Sequence, residues 1–247
     1  MTLRALIFDV DGTLADTEEA HRQAFNAAFI ELELWWDWSP EQYARLLRVS
    51  GGKERLAHYI GTLKVTPAVR ARALSSVELI HATKTRIYKD LLESFKLPLR
   101  PGVCRLIGEA RARGITLAIA TTTTSANLEP LVNAALGRGA MNWFAMIAAG
   151  DSVANKKPAQ DIYQRALLGL RLPAQSCIAF EDSANGLQAA RAAGLFTVVT
   201  PTRWNIGQQF GAAQLLLNTL EEIDLPKLER SHADWLGQGF DAPASGG

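Results

Sequence analysis

Five short apolar runs, spaced along the chain and each followed by polar residues, constrain this sequence more than any other feature. They lie at residues 3–8, 115–120, 144–148, 177–180 and 197–199. A continuous apolar run of that length, bounded by polar residues, suits a strand buried on both faces. Helical patterns separate them. Pro101-Gly102 opens one whose apolar positions Val103, Leu106, Ile107 and Ala110 keep helical spacing, and Gly114 closes it. Residues 161–169 form another, and 184–193 a third with Gly194 just past its end. Alternation of this kind predicts an α/β fold with a doubly wound parallel sheet. Right-handed crossovers then bring every strand's carboxyl end to one edge, where ligands collect in open parallel sheets.

Residues 16–96 break the alternation. They read as successive helices over 18–32, 40–47, 53–63, 67–73 and 77–95, with no convincing strand. That is too long for an ordinary connection. The expected organisation is therefore a discontinuous α/β core, residues 1–15 and 97–247, with an inserted all-helical cap domain, 16–96, hanging over the active edge as a lid. Trp35, Trp36 and Trp38 are read as an aromatic cluster packing the lid's helices. After Leu225 the periodicity fades, and 241–247 reads as a frayed end. His58 and His232 carry no functional reading.

Composition narrows the partners. A net charge of +1 with no basic block argues against nucleic acid. No segment approaches the roughly 18 apolar residues of a membrane span. The two cysteines, Cys104 and Cys177, have no metal-like spacing and sit in apolar periodic segments, so both are expected as buried thiols in a reducing compartment. The N-terminus enters the first strand almost at once, leaving no room for a leader. The expectation is a cytoplasmic monomer acting on a small molecule, or a stromal one if a transit peptide has been removed.

The chemistry lies after the strands. The first is followed by Asp9 and Asp11 within Phe8-Asp9-Val10-Asp11-Gly12-Thr13-Leu14, and the second by Thr121, Thr122, Thr123 and Thr124. After the third come Asp151, Asn155 and Lys156-Lys157-Pro158, and after the fourth Glu181-Asp182. Asp-Gly is also a common turn pair, but four such strand ends together would line one crevice with carboxylates, hydroxyls and a lysine. That set suits phosphoryl transfer, with a cation and a lysine neutralising oxygens while a carboxylate attacks in line.

Those four segments, in this order, resemble the four motifs of the haloacid dehalogenase superfamily, over residues 1 to about 200. The resemblance implies that Asp9 is the nucleophile forming an aspartyl-phosphate. Asp11 would protonate the leaving alcohol and then activate water. Thr121 would hydrogen-bond the phosphate, with Thr122 able to share that role, and Lys157 would balance charge; Lys156 reads as solvated. Mg²⁺ would be held by Asp9, the main-chain carbonyl of Asp11, and Asp182, with Glu181 a ligand itself or a partner of one. True dehalogenases of this pattern lack the second aspartate, so Asp11 favours phosphate esters.

Substrate choice is expected in the insertion. Thr17, Glu18 and His21 follow the catalytic loop, Gly51-Gly52-Lys53-Glu54-Arg55 sets two cations behind a flexible turn, and His81 and Lys84 lie one helical turn apart. Lys53, Arg55 and Lys84 could clamp a second phosphate. Together with Ala120 to Thr123, Lys156-Lys157-Pro158 and Asp161-Ile162-Tyr163, these residues resemble the CbbY-type branch. Its members remove the 1-phosphate from xylulose-1,5-bisphosphate, an inhibitory by-product of Rubisco in the Calvin cycle. Glu18, His21 and Tyr43 would then meet the sugar hydroxyls. Two alternatives stay open: a mutase resembling β-phosphoglucomutase, and a phospho-receiver module.

Overall fold

The first strand, β1 (Ala5–Phe8), is entirely buried and becomes the interior of a six-stranded sheet of order β3-β2-β1-β4-β5-β6, paired in parallel throughout. The other strands are β2 (Thr116–Ala120), β3 (Phe144–Ala148), β4 (Cys177–Glu181), β5 (Phe196–Val199) and β6 (Leu215–Leu216). This is a computed structural model, and it describes residues 2–94 and 97–238. Because side chains alternate along a strand, β1 feeds two cores. Leu6 and Phe8 join a large cluster with Leu117, Ile119, Ile178 and Phe180. Ala5 and Ile7 face a second cluster rich in alanine, including Ala118, Ala120, Ala179 and Ala190. Helices cover both faces, as the doubly wound expectation requires. They are α6 (Val103–Ala112), α7 (Ser125–Leu136), α8 (Asp161–Leu170), α9 (Ala184–Ala192) and α10 (Leu225–Gly237).

Between β1 and α6 the chain makes only helices among the described residues: α1 (Glu18–Glu31), α2 (Pro40–Leu46), α3 (Gly52–Thr62), α4 (Pro67–Ser75) and α5 (Val77–Ser94). Local chemistry starts them where expected. Ser39 caps α2 by accepting from Gln42 N, and Thr66 caps α4 by accepting from Val69 N, each followed by proline in the first turn. Phe25, Phe29, Trp38, Tyr43, Leu56, Tyr59 and Ile80 form this segment's own buried cluster, and Trp204 from beyond β5 packs into it.

Several expectations change. Helix α10 occupies a stretch that reads as aperiodic, because Asp224 caps it through Lys227 N and Leu225, Leu228 and His232 lie buried on one face. Helix α7 is an addition to the expected elements, since Pro130 lies inside it. Cys177 is buried but Cys104 is exposed, lying off the Val103, Leu106, Ile107 and Ala110 face of α6. Trp36 and Trp38 pack in the aromatic cluster, whereas Trp35 is fully exposed. The expected last residue of α5, Phe95, and the 241–247 end lie outside the described residues. No helix among the described residues is long and apolar enough to cross a membrane.

Candidate active site

The parallel pairing places Phe8 beside Ile119 of β2 and Phe180 of β4, so the residues that follow these strands meet at one edge. At its floor Lys157 Nζ lies 2.6 Å from Asp9 Oδ1 and 2.6 Å from Glu181 Oε1, and it donates to Ala120 O at 3.0 Å. The lysine is thus fixed by three acceptors from three strand ends. Burial works against its charge, but Asp9 and Glu181 outweigh that and hold its pKa above the ordinary lysine value. Burial pushes Asp9 up to about 7 against the pull of Lys157, with Glu181 and Asp11 adding repulsion. Thr13 Oγ1 reaches Asp9 Oδ2 at only 3.4 Å, leaving that oxygen the less occupied of the two.

Asp9, Glu181 and Asp182 offer carboxylate oxygens within 4.8 Å of one another. One lysine does not balance three buried carboxylates. Burial, then Asp9 and Glu181, raises Asp182 well above the usual carboxylate range, and Glu181 Oε2 is buried without a hydrogen-bond partner among the described residues. Tyr163 donates to Glu181 Oε1 at 2.5 Å, and Asn205 Nδ2 donates to Asp182 Oδ2 at 2.7 Å. Gly12 and Gly186 complete the enclosure, because a Cβ on either would overlap the carboxylate of Asp182 or Glu181 respectively. An excess of buried negative charge, hard oxygen donors and an orphaned carboxylate oxygen fit a magnesium-type cation.

Asp11 stands apart from that cluster. Thr17 donates to its Oδ1 at 2.5 Å, His21 Nε2 lies 3.0 Å from the same oxygen, and Thr123 Oγ1 donates to Oδ2. Burial opposes ionisation of Asp11, but His21 and the two hydroxyls outweigh it and hold the carboxyl below the usual range.

Two cavities adjoin these residues. One, of about 60 Å³, is lined by Asp9, Lys157, Glu181 and Asp182, and the other, of about 300 Å³, by residues of the helical insertion. Asp11, Glu18, Arg55 and Thr122 line both. His21, Lys53, Lys84, His81 and Thr124 line the larger. Lys53 Nζ is held by Glu78 at 2.5 Å, and Arg55 by Tyr43 Oη at 3.2 Å and Leu46 O at 3.3 Å. Burial, then Lys84 and Lys53, depresses His81 to about 4.

Thr17 and Tyr43, read as substrate contacts, line neither cavity. Both are fully buried, and their hydroxyls are spent on Asp11 and Glu18 Oε2; they act on those carboxylates. Thr121 is also buried, its Oγ1 accepting from Thr123 N at 3.1 Å, while Thr122 faces the cavities. Lys156 is not simply solvated: it lines the larger cavity and donates to Gly150 O. Four further residues carry roles that the sequence does not assign. A run of four threonines does not reveal that Thr123 is the one on Asp11. Tyr163 occupies an apolar helical position whose polar tip is the only signal. Asn205 and Asn127 lie in segments without a motif, yet Asn205 holds Asp182 and Asn127 lines the larger cavity.

The family model of haloacid dehalogenase-like hydrolases matches residues 3–194. The CbbY protein of Cupriavidus necator is 52% identical over 87% of this chain and 85% of its own length. A crystal structure of an Asp-to-Asn variant of Rhodobacter sphaeroides CbbY, in complex with xylulose-1,5-bisphosphate, superposes with a TM-score of 0.84 at 43% identity, covering 92% of this chain and 99% of that one. β-Phosphoglucomutase of Clostridium difficile, at 19% identity and a TM-score of 0.74 over 95% of this chain and 99% of that one, shares the fold. An acidic strand-end site with a buried lysine, matched along nearly the whole chain, makes this protein a phosphatase of the haloacid dehalogenase-like hydrolases, in their CbbY-like branch.

Proposed function

We propose that the chain is a Mg²⁺-dependent sugar-phosphate phosphatase that hydrolyses the 1-phosphate of xylulose-1,5-bisphosphate, leaving xylulose-5-phosphate. The observation that carries this reading is that two neighbouring cavities share the wall residues Asp11, Glu18, Arg55 and Thr122: a small one on Asp9, and a larger one lined by Lys53, Arg55 and Lys84. One phosphate would sit at the nucleophile and the other among cations of the insertion, which serves as a cap domain. The bisphosphate held by the Rhodobacter sphaeroides relative supports the same substrate.

In the first half-reaction Asp9 Oδ2, the oxygen not taken by Lys157, attacks phosphorus in line. The ester P–O bond breaks, and the leaving sugar oxygen takes a proton from Asp11. Lys157 neutralises charge between Asp9 and the phosphoryl oxygens, and the 121–124 segment supplies their hydrogen bonds. In the second, water attacks the aspartyl-phosphate and Asp11 takes its proton, releasing phosphate and restoring Asp9. Its three donors suit Asp11 to this second task. For the first it must be protonated, which the arriving phosphate's negative charge favours. Asp9, Asp182, Glu181 and the Asp11 carbonyl would hold Mg²⁺, which would supply positive charge to the phosphoryl group.

The test is phosphate release from a panel of sugar mono- and bisphosphates, with and without EDTA. Xylulose-1,5-bisphosphate should be turned over fastest, and only with Mg²⁺. Equal rates across the panel would refute the substrate, activity in EDTA the metal, and recovery of an isomeric phosphosugar without free phosphate would point to a mutase instead.

A further inference from the structure

The chain returns from the helical insertion to the sheet through residues 97–102, and there one side chain gathers loops that are far apart in sequence. The outgoing and returning segments are themselves paired: Ala15 bridges Leu99 in antiparallel fashion, and Arg100 N donates to Leu14 O at 2.9 Å. From that anchored backbone the Arg100 guanidinium reaches inward. Its Nη1 donates to Gly12 O at 2.5 Å, to Thr200 O at 2.5 Å and to Thr200 Oγ1 at 2.8 Å, and its Nη2 donates to Pro201 O at 3.0 Å. Three acceptors converge on Nη1, and the second arm of the guanidinium fork adds Pro201 O, a fourth contact that the single point of an ammonium does not supply at the same time.

These contacts close a ring around Asp182. On one side Gly12, at φ +78°, brings its Cα against the Asp182 carboxylate, leaving no room for a Cβ. On the other side Asn205 Nδ2 donates to Asp182 O at 2.9 Å and to Oδ2 at 2.7 Å, and Asn205 N donates to Thr202 O at 3.0 Å. Arg100 grips both sides, holding Gly12 through its carbonyl and the 200–205 loop through Thr200 and Pro201.

We infer that Arg100 is a positioning residue for Asp182: it fixes the separation between Gly12 and the 200–205 loop, and so the place of the carboxylate clamped between them. The residue lines neither cavity of the site and acts only through these neighbours. Because its backbone belongs to the paired linkers, it also couples the seating of the helical insertion to the geometry of that carboxylate. The inference rests on the metal reading given under the proposed function.

The experiment compares wild type, Arg100→Lys and Thr200→Val. Mn²⁺ binding to the substrate-free protein is followed by electron paramagnetic resonance, and kcat and KM are measured across a Mg²⁺ titration. Arg100→Lys is expected to bind Mn²⁺ about 10- to 100-fold more weakly. Its kcat at low Mg²⁺ should fall and recover as Mg²⁺ is raised, with KM for the sugar phosphate changed by less than about two-fold. Thr200→Val, losing one acceptor of the four, should shift Mn²⁺ binding the same way by a smaller factor. If Arg100→Lys does not fold, Thr200→Val decides. A wild type that binds no divalent cation overturns the metal reading and this inference with it. A wild type that binds Mn²⁺, matched by its folded variants, overturns the role of Arg100 alone. So does a rise in KM with Mn²⁺ affinity unchanged.

Discussion

Lys84 Nζ lies 2.5 Å from Nδ1 of His21, and this contact sets how the imidazole meets the loop that carries Asp11. A charged lysine only donates, so Nδ1 accepts and Nε2 carries the hydrogen offered to Asp11 Oδ1 at 3.0 Å. The imidazole also stacks on Tyr88 with centroids 4.0 Å apart. Burial lowers the pKa of His21, and the neighbouring Lys84 lowers it further against the pull of Asp11. Lys84 and His21 thus reach Asp11 as one relay from the insertion to the loop.

Burial, its largest cause, lowers Lys84 from the ordinary 10.5 to about 7, although Asp11 pulls it upward. An unfolded chain keeps that proton to higher pH, so above about pH 7 the unfolded state binds more protons and stability rises with pH. The burden is greatest below pH 7 and is relieved as pH climbs toward the unfolded value. Urea melts should show wild type gaining on the order of 1–2 kcal/mol between pH 7 and 9 relative to Lys84→Met. Parallel slopes for the two proteins would mean that the ammonium does not titrate near neutrality.

Lys53 tests the grip on the distal phosphate. Its ion pair with Glu78 is half exposed, and such pairs contribute little to stability. Lys53→Ala should therefore leave the melting temperature unchanged. It should raise KM for a sugar bisphosphate about five- to twenty-fold, as loss of ground-state binding, while KM for a monophosphate moves by less than about two-fold. Steady-state kinetics on both substrates decides, and equal shifts would remove Lys53 from the distal phosphate.

The carboxylate cluster predicts a metal-dependent melting temperature. Ligand at about 100 times its Kd adds roughly 2.7 kcal/mol, which for a chain of this size is about 5–10 °C. Saturating Mg²⁺ should raise wild-type Tm by that amount. Asp182→Asn should lose most of the shift, and without metal it should melt above wild type, because one of three crowded carboxylates has become neutral. Calorimetry in EDTA and in Mg²⁺ measures both effects, and an undiminished shift in the variant would remove Asp182 from the metal's ligands.

Asn185, in the first turn of α9, donates to Arg48 O at 2.8 Å and Ser50 Oγ at 3.0 Å, and Trp204 meets Tyr43 edge to face. These contacts fasten the insertion to the core beside Glu181 and Asp182. Asn185→Ala should cost about 1 kcal/mol or less in global stability while speeding hydrogen exchange over residues 46–52. Unchanged exchange there would show that Asn185 does not hold the loop.

Much of this is legible in the sequence, for identifiable reasons. Strands buried on both faces leave uninterrupted apolar runs, which mark β1, β2, β4 and β5 and the acids and threonines behind them, and the edge strand β3 keeps such a run although its middle is only partly buried. Helix α7 is not legible because Pro130 looks like a breaker, and α10 is not because its buried face includes a histidine and so breaks the apolar pattern. Thr17 and Tyr43, expected at the substrate, line neither cavity, and their place in the sequence does not separate a residue near the site from one inside it. Sequence gives their order along the chain, but which hydroxyl is free depends on Asp11 and Glu18 having claimed both. Thr123 and Asn205 depend on loop geometry, which leaves no periodic trace.

The central place of β1 has a consequence for the birth of the molecule. The strand made first by the ribosome needs Thr116–Ala120 on one side and Cys177–Glu181 on the other. At ordinary synthesis speeds of about 5–20 residues per second, its second neighbour emerges roughly 10 to 30 seconds later. Until then Ala5 to Phe8 has an unpaired, apolar edge, while the insertion that follows already holds all of its aromatic cluster except Trp204. The helical insertion is therefore complete long before the sheet can close, and the loop of Asp9 and Asp11 waits for Cys177–Glu181 to emerge.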